Sequence, residues 1–279
     1  MPISKLNGTA WASINKVNGL SSANIADING VDAPSSASIA SGAFYDVRPW
    51  DSNSDSGSGT TITNLGSLGG TTTLYNGVLR TTQGGADCWF TDGVNDYMQQ
   101  TANQSDVSGF GFPYTLEGWF YREARPSTSQ YRPDKTLSIS DSNTERSRMS
   151  ITSVSSGTFV DRLAFSQHSS PTVRQSNYID SGANFNEWYH LCVVFRSNAM
   201  LFYIDGALEQ TDSHSMGSSI FSFVNSSNVL RIEQGQWTRA SFGPDEQRGF
   251  HGDFRVYISE LSASDIQGNF DATKSYYGK

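Results

Sequence analysis

Four histidines, two cysteines and a scatter of carboxylates are the residues of this chain best equipped for chemistry, and their spacing argues against most of it. His168, His190, His214 and His251 show no H-x-x-x-H spacing, so a zinc site is not expected. Cys88 in "DCWF" and Cys192 in "HLCVVF" each lie in an apolar, strand-like stretch and read as two buried free thiols. No G-x-S-x-G nucleophile elbow occurs. Glycoside hydrolysis needs two carboxylates held at a fixed separation across the sugar. Here Glu117, Glu187, Glu209 and Glu233 stand alone, and Asp245-Glu246 falls in "GPDEQRG", read as a loop with poor rigid positioning. The expectation is a protein that is not an enzyme.

The elements that would position these groups are β-strands. The 279 residues leave room for one large β domain plus an appendage. Aromatics reach 12%, charged residues only 16%, and β-branched and aromatic residues alternate with Gly/Asn/Asp/Ser clusters. A net charge of −8 excludes binding to nucleic acid by phosphate neutralisation. Residues 1–30 lack a basic start followed by an apolar core, so no secretion signal is expected, and no eighteen-residue apolar run exists to span a membrane.

The first part is a repeat. Ile3-Ser4-Lys5-Leu6-Asn7-Gly8 returns as Ile14-Asn15-Lys16-Val17-Asn18-Gly19 and again as Ile25-Ala26-Asp27-Ile28-Asn29-Gly30. Each eleven-residue unit carries too few apolar side chains to bury them alone, so Ile3, Leu6, Ile14, Val17, Ile25 and Ile28 are candidate assembly contacts. Two conformations fit a unit. One is a helical turn stopped by Asn-Gly, which is the preferred reading. The other is a short strand ending in an Asn-Gly turn. Residues 32–42 read as linker, which sets the boundary between an attachment or oligomerisation segment (1–42) and a second domain (43–279). Residues 51–73 are expected to be mobile loops with short strands near Ile62 and Leu74.

Within the second domain, Trp188 to Gly206 reads as a hairpin. Its first strand places Tyr189, Leu191, Val193 and Phe195 on one face, with Cys192 and Val194 also covered. "YTLEGWFY" sets Leu116, Gly118 and Phe120 opposite Glu117, Trp119 and Tyr121. "FHGDFRVYI" sets Phe250, Gly252, Phe254, Val256 and Ile258 opposite His251, Asp253, Arg255 and Tyr257. Ser262 with Asp265 opens one short helix. Trp119 and Trp188 are expected in the core, and Asp92 and Asp96 are expected to shape a turn.

Four of these stretches, in order, resemble the laminin-G-like, concanavalin A-like jelly roll: "FTDGVNDYMQ", "YTLEGWFY", "NEWYHLCVVFRSNAMLFYIDGAL" and "FHGDFRVYISELSASDI". The resemblance implies an all-β fold of two antiparallel sheets packed face to face. It covers binders and enzymes alike. The catalytic E-x-D-x-E or E-x-D-x-x-E spacing of its glycosidase branch is missing here. The resemblance also implies calcium as the one candidate cofactor, held by Asp253 and by carbonyls of the loop at Gly84 to Asp87, which contains Gly85. The competing reading of Asp253 is an ion pair with Arg255. For sugar binding, the candidates are the loop aromatics Trp237, Tyr131 and Trp50, which could stack on a pyranose or instead tuck over the sandwich edge.

The opening repeat is similar to I-x-K-V-N-G units near the start of structural proteins of tailed bacteriophages. Together the two resemblances imply a virion protein, in capsid decoration or a tail appendage. Its partners would be other virion proteins and further copies of itself, and it would display a lectin-like domain towards a cell-surface glycan. A free carbohydrate-binding adhesin is the alternative, and a glycoside hydrolase a more distant one.

Overall fold

The computed structural model describes backbone and side chains at residues 38–103, 105–106, 111–121, 186–213, 230–234 and 248–279, and the backbone alone of strands outside those ranges. Each opening repeat contributes two two-residue strands: β1 (Lys5–Leu6) with β2 (Thr9–Ala10), β3 (Lys16–Val17) with β4 (Leu20–Ser21), and β5 (Asp27–Ile28) with β6 (Val31–Asp32). Leu6 pairs with Thr9, Val17 with Leu20 and Ile28 with Val31, so two residues, Asn-Gly each time, separate the paired strands. The strand reading of the repeat therefore holds and the helical one does not. Asn-Gly is the favoured two-residue hairpin connection, whereas a glycine inside a helix costs about 1 kcal/mol. Leu6, Val17 and Ile28 lie on these strands; Ile3, Ile14 and Ile25 lie outside the described residues.

The sandwich begins with β7 (Tyr45–Val47), β8 (Thr61–Thr63), β9 (Thr71–Tyr75), β10 (Leu79–Gln83), β11 (Ala86–Asp92) and β12 (Tyr97–Ala102). It continues through β13 (Tyr114–Arg122), β14 (Lys135–Ser140), β15 (Glu145–Ser156), β16 (Thr158–Ser170) and β17 (Val173–Ile179). The hairpin β18 (Glu187–Phe195) and β19 (Ala199–Ile204) follows, then β20 (Ala207–Ser213), β21 (Leu230–Gln234), β22 (Gln236–Arg239), β23 (Gly243–Glu246) and β24 (Arg248–Tyr257). One eight-stranded sheet runs β10-β11-β24-β13-β18-β19-β20, with β7 also on β24; the other runs β17-β16-β15-β14-β21-β12-β9-β8. All pairings are antiparallel, and a long β24 in the middle of the first sheet joins the early and late parts of the chain.

The main core lies between the sheets. Tyr114, Leu116 and Phe120 of β13, Leu191, Val193 and Phe195 of β18, and Phe254 and Val256 of β24 meet Leu74, Met98, Leu230 and Ile232 of the second sheet. Each such side chain contributes about 1.5–3 kcal/mol by leaving water. The first sheet is covered on its outer face too. Ala263–Thr273 form helix α1, opened by a reciprocal capping box between Ser262 and Asp265, and a 3-10 turn follows at Lys274–Tyr277. Cys192, Val194 and Tyr257 pack under Ile266 of this helix, and Trp119 and Trp188 pack under Tyr277. Both cysteines are buried thiols outside any disulfide.

Simple alternation along β24 fails at one place. Gly118 pairs with Phe254 but Phe120 pairs with His251, so Gly252 and Asp253 together face Trp119. This β-bulge turns Phe250 outward, edge-to-face with Tyr121, and turns His251 inward, where its Nε2 meets the Thr91 hydroxyl at 3.0 Å. The assignment of Phe250 to the same face as Phe254, and of His251 to the face of Arg255, is corrected accordingly. Gly252 is required there, because a Cβ would lie 2.7 Å from both Trp119 and Tyr277. Two other expectations change. Residues 51–60 are pinned rather than loose: the buried Asp55 carboxylate accepts from Arg80 Nε at 2.7 Å and from Trp89 Nε1 at 2.7 Å. Asp245-Glu246 lie in a strand, with Asp245 opposite Trp237 in the β22-β23 ribbon, an edge arrangement that tolerates Pro244.

Candidate functional site

With helix α1 sealing the first sheet, the polar outer face among the described residues is that of β9 and β12 in the second. Strands β9 and β12 alternate there. Leu74, Met98 and Ala102 go to the core, while Thr73, Tyr75, Tyr97 and Gln99 are on the other face, with Tyr75 opposite Tyr97 and Thr73 opposite Gln99. The two tyrosine rings stack at 4.4 Å between centroids. Two polar residues on the core side brace this floor. The Thr72 hydroxyl meets Tyr45 Oη at 2.9 Å and Gln100 Oε1 at 3.2 Å, and Gln100 Nε2 donates to the Gly69 carbonyl at 2.6 Å. That last bond holds the Leu68–Gly70 loop upright as a wall.

The result is a cup of about 300 Å³. Thr71, Thr73, Tyr75, Gln99 and Thr101 form its floor, and Leu68 to Gly70 one side. Asp106 lines the cup as well; its carboxylate accepts from the Asn103 backbone N–H at 2.7 Å, closing the turn after β12. Hydroxyls and a carboxamide can donate and accept hydrogen bonds at once, which suits a polyol, and the cup size suits one or two sugar rings. Among the described residues lining it, Asp106 is the one carboxylate, so these residues do not assemble the paired acids of glycoside hydrolysis.

The other concentration of chemistry is sealed. Glu117, Asp253, Arg255 and His190 have no solvent exposure. The Arg255 guanidinium donates to Glu117 Oε1 at 2.6 Å, pairs with Asp253 Oδ2, and lies 3.3 Å from Asp46. His190 Nε2 is 3.5 Å from Glu117, and Asn269 of α1 donates to Glu117 Oε2 at 2.7 Å. Burial alone would raise the Glu117 pKa; His190, Arg255 and the Asn269 hydrogen bond more than offset it and hold the carboxyl at about 2. For Arg255 burial acts to lower the pKa, and Asp253, Asp46 and Glu117 together raise it.

The residues singled out from sequence fall apart in space. Asp253 pairs with Arg255, as the competing reading had it, and Tyr277 Oη accepts from its backbone N–H at 2.8 Å. A calcium ion there would have to displace a guanidinium. Gly85 sits in the β10-β11 turn with φ +84°. Among the described residues no group of three or more His, Cys, Asp or Glu side chains is placed to hold a metal. Trp50 is stacked on Tyr276 at 4.0 Å, with the Arg48 guanidinium 5.5 Å from its ring, so its faces are engaged within the protein. Trp237 is on strand β22 rather than in a loop, and Tyr131 lies outside the described residues. Asp92 and Asp96 shape their turn as expected: Asp92 Oδ1 accepts from the Val94 N–H at 2.7 Å, and Asp96 Oδ2 from the Asp92 N–H at 3.2 Å.

Thr71, Thr73, Gln99 and Thr101 were not among the candidates. Their signal was present but faint: "TTTLY" and "YMQQTA" each alternate, yet with polar residues on both faces, which hides the pattern that marks a strand with one wet side.

Residues 92–267 match the family model described as the concanavalin A-like lectin/glucanases superfamily. No protein of curated function matches the sequence. Similar solved structures include the receptor-binding domain of botulinum neurotoxin C/D mosaic serotype (TM-score 0.59, 12% identity, 85% of this chain, 54% of that one). The ligand-binding domain of botulinum neurotoxin serotype D, solved with N-acetylneuraminic acid, gives a TM-score of 0.57 at 14% identity, over 88% of this chain and 55% of that one. The binding domain of botulinum neurotoxin DC, solved with rat synaptotagmin II, gives 0.55 at 14% identity, over 84% and 52%. The chain thus spans about half the length of these domains, and at such identities the likeness is one of fold.

Proposed function

The chain belongs to the concanavalin A-like lectin/glucanases superfamily, and on that premise we propose that it is a non-catalytic, lectin-like display protein that binds carbohydrate in the cup on its second sheet. One observation carries this reading: a sheet face whose outward residues, Thr71, Thr73, Gln99 and Thr101, converge on an open cup of about 300 Å³, beside a tyrosine ring. Two solved relatives of the same fold hold a sugar or a protein receptor, which supports a binding role for the scaffold. The three opening hairpins supply the attachment. Each is a two-stranded sheet with two residues per strand, a form that is marginal by itself and gains stability by pairing with other chains. Together with the resemblance of the repeat to those of tailed-phage proteins, this favours the virion, as capsid decoration or tail appendage, as the place where the protein works.

A glycan array probed with the wild-type protein tests the cup. Gln99→Ala and Thr73→Ala are each expected to weaken binding about five- to tenfold, the loss of one or two hydrogen bonds, with the thermal midpoint unchanged. Equal binding by both variants would place the sugar elsewhere. Deleting residues 1–31 is expected to leave a folded domain with wild-type glycan affinity that no longer joins particles. Particles carrying normal amounts of the shortened protein would remove the attachment role from the hairpins.

A further inference from the structure

Arg231 stands beside the cup without an ionic partner among the described residues. It lies on β21 between Leu230 and Ile232, both core residues, and is therefore on the outer face, half-buried. It pairs in register with Thr101 on one side and Ser140 on the other. Cross-strand neighbours on one face have Cβ atoms about 4.5–5.5 Å apart, so Arg231 borders Thr101, which lines the cup. Its Nε is buried and has no hydrogen-bond partner. Among the described residues no carboxylate ion-pairs with it, including Glu233 two positions along the same strand. Among the described residues the other arginines with little exposure are answered: Arg48 by Asp46, Arg80 by Asp55, Arg255 by Glu117 and Asp253. Asp106, which also lines the cup, is engaged by the Asn103 backbone.

A guanidinium has five N–H donors and no acceptor, and it stays charged at any accessible pH. Taking its Nε out of water without supplying an acceptor is unfavourable, and the cost is recovered when an anion arrives. We propose that the saccharide bound in the cup is acidic, with a carboxylate or sulfate ester gripped by Arg231 while its hydroxyls sit on Thr73, Gln99 and Thr101. The inference rests on the carbohydrate reading of the cup. A planar fork facing an oxyanion gives two parallel charge-assisted hydrogen bonds, a geometry that lysine does not reproduce.

Calorimetry with full-length protein and paired probes tests this. The probes are trigalacturonic acid and its methyl ester for the carboxylate, and κ-carrageenan tetrasaccharide and its desulfated parent for the sulfate. At least one acidic probe is expected to bind about tenfold or more tighter than its uncharged partner, with an affinity that falls as sodium chloride rises. Arg231→Gln is expected to erase that difference while leaving the uncharged probe unchanged, and Arg231→Lys to restore it only in part. Whichever pair shows the difference identifies carboxylate or sulfate as the recognised group. Acidic and uncharged probes that bind equally well, and equally to Arg231→Gln, would overturn the inference and leave the cup reading standing. If no probe of either kind binds, and the glycan array is blank, the cup reading and this inference fall together.

Discussion

Replacing Arg255 with leucine is expected to destabilise the protein by about 3–5 kcal/mol, the usual consequence of stranding buried charge. Arg255 is surrounded by Glu117, Asp253 and Asp46, none more than 5% exposed at the side chain, and no other cation among the described residues lies within ion-pairing distance of Asp253. Removing the guanidinium strands Glu117 and Asp253, whereas Asp46 keeps its pair with Arg48. The two stranded carboxylates must either ionise unpaired in a low-dielectric site or take up protons, and both weaken the fold. Urea unfolding followed by circular dichroism measures the loss. Adding Glu117→Gln to Arg255→Leu should recover part of it, because one stranded charge is then gone. A loss below about 1 kcal/mol for Arg255→Leu alone would mean that water reaches the cluster as the helix shifts.

Acid is expected to act through the same cluster. Glu117 is held at about 2 in the folded protein against an ordinary value of 4.5. A carboxylate whose folded pKa is depressed contributes stability above its unfolded pKa and loses that contribution as pH falls towards the folded one. The window here is therefore pH 4.5 down to about 2. The linked free energy is about 3 kcal/mol for a shift of that size. Unfolding free energies measured at half-unit steps through this window should decline steadily for the wild type. In Glu117→Gln the decline should be shallower by that amount, on a lower starting stability. Parallel slopes for the two proteins would assign acid sensitivity to other carboxylates.

Neither prediction could be made from the sequence, although most of the elements involved were legible there. The β18-β19 hairpin, the alternation of β13 and the capped helix were visible because one face of each is strongly apolar or because Ser262 and Asp265 sit at capping-box spacing. What was hidden depends on neighbours distant in the chain. Glu117, isolated in sequence, meets Arg255 138 residues away and Asn269 152 residues away. The bulge at Gly252-Asp253 inverted Phe250 and His251 because strict alternation carries no sign of an extra residue. The cup escaped notice for a related reason. Thr72 and Gln100, which support it from the core side, are as polar as Thr73 and Gln99, which form its floor, so composition did not separate support from surface. Aromatic residues in polar loops are the more conspicuous sugar-binding signal, yet Trp50 is committed to Tyr276.

The segment leading out of the hairpins is tied to the sealed side of the sandwich. The Ala40 N–H donates to Asn269 of helix α1 at 2.6 Å, and Tyr257 Oη donates to the Ala40 carbonyl at 3.4 Å, whereas the cup opens on the opposite sheet. The described chain thus enters the sandwich on the helix side, opposite the sheet that carries the cup. On the proposed function, an array of copies would confront a sugar-coated surface with many weak grips in parallel. Millimolar single-site affinity would suffice for firm attachment by avidity, and release would be fast once copies let go one at a time.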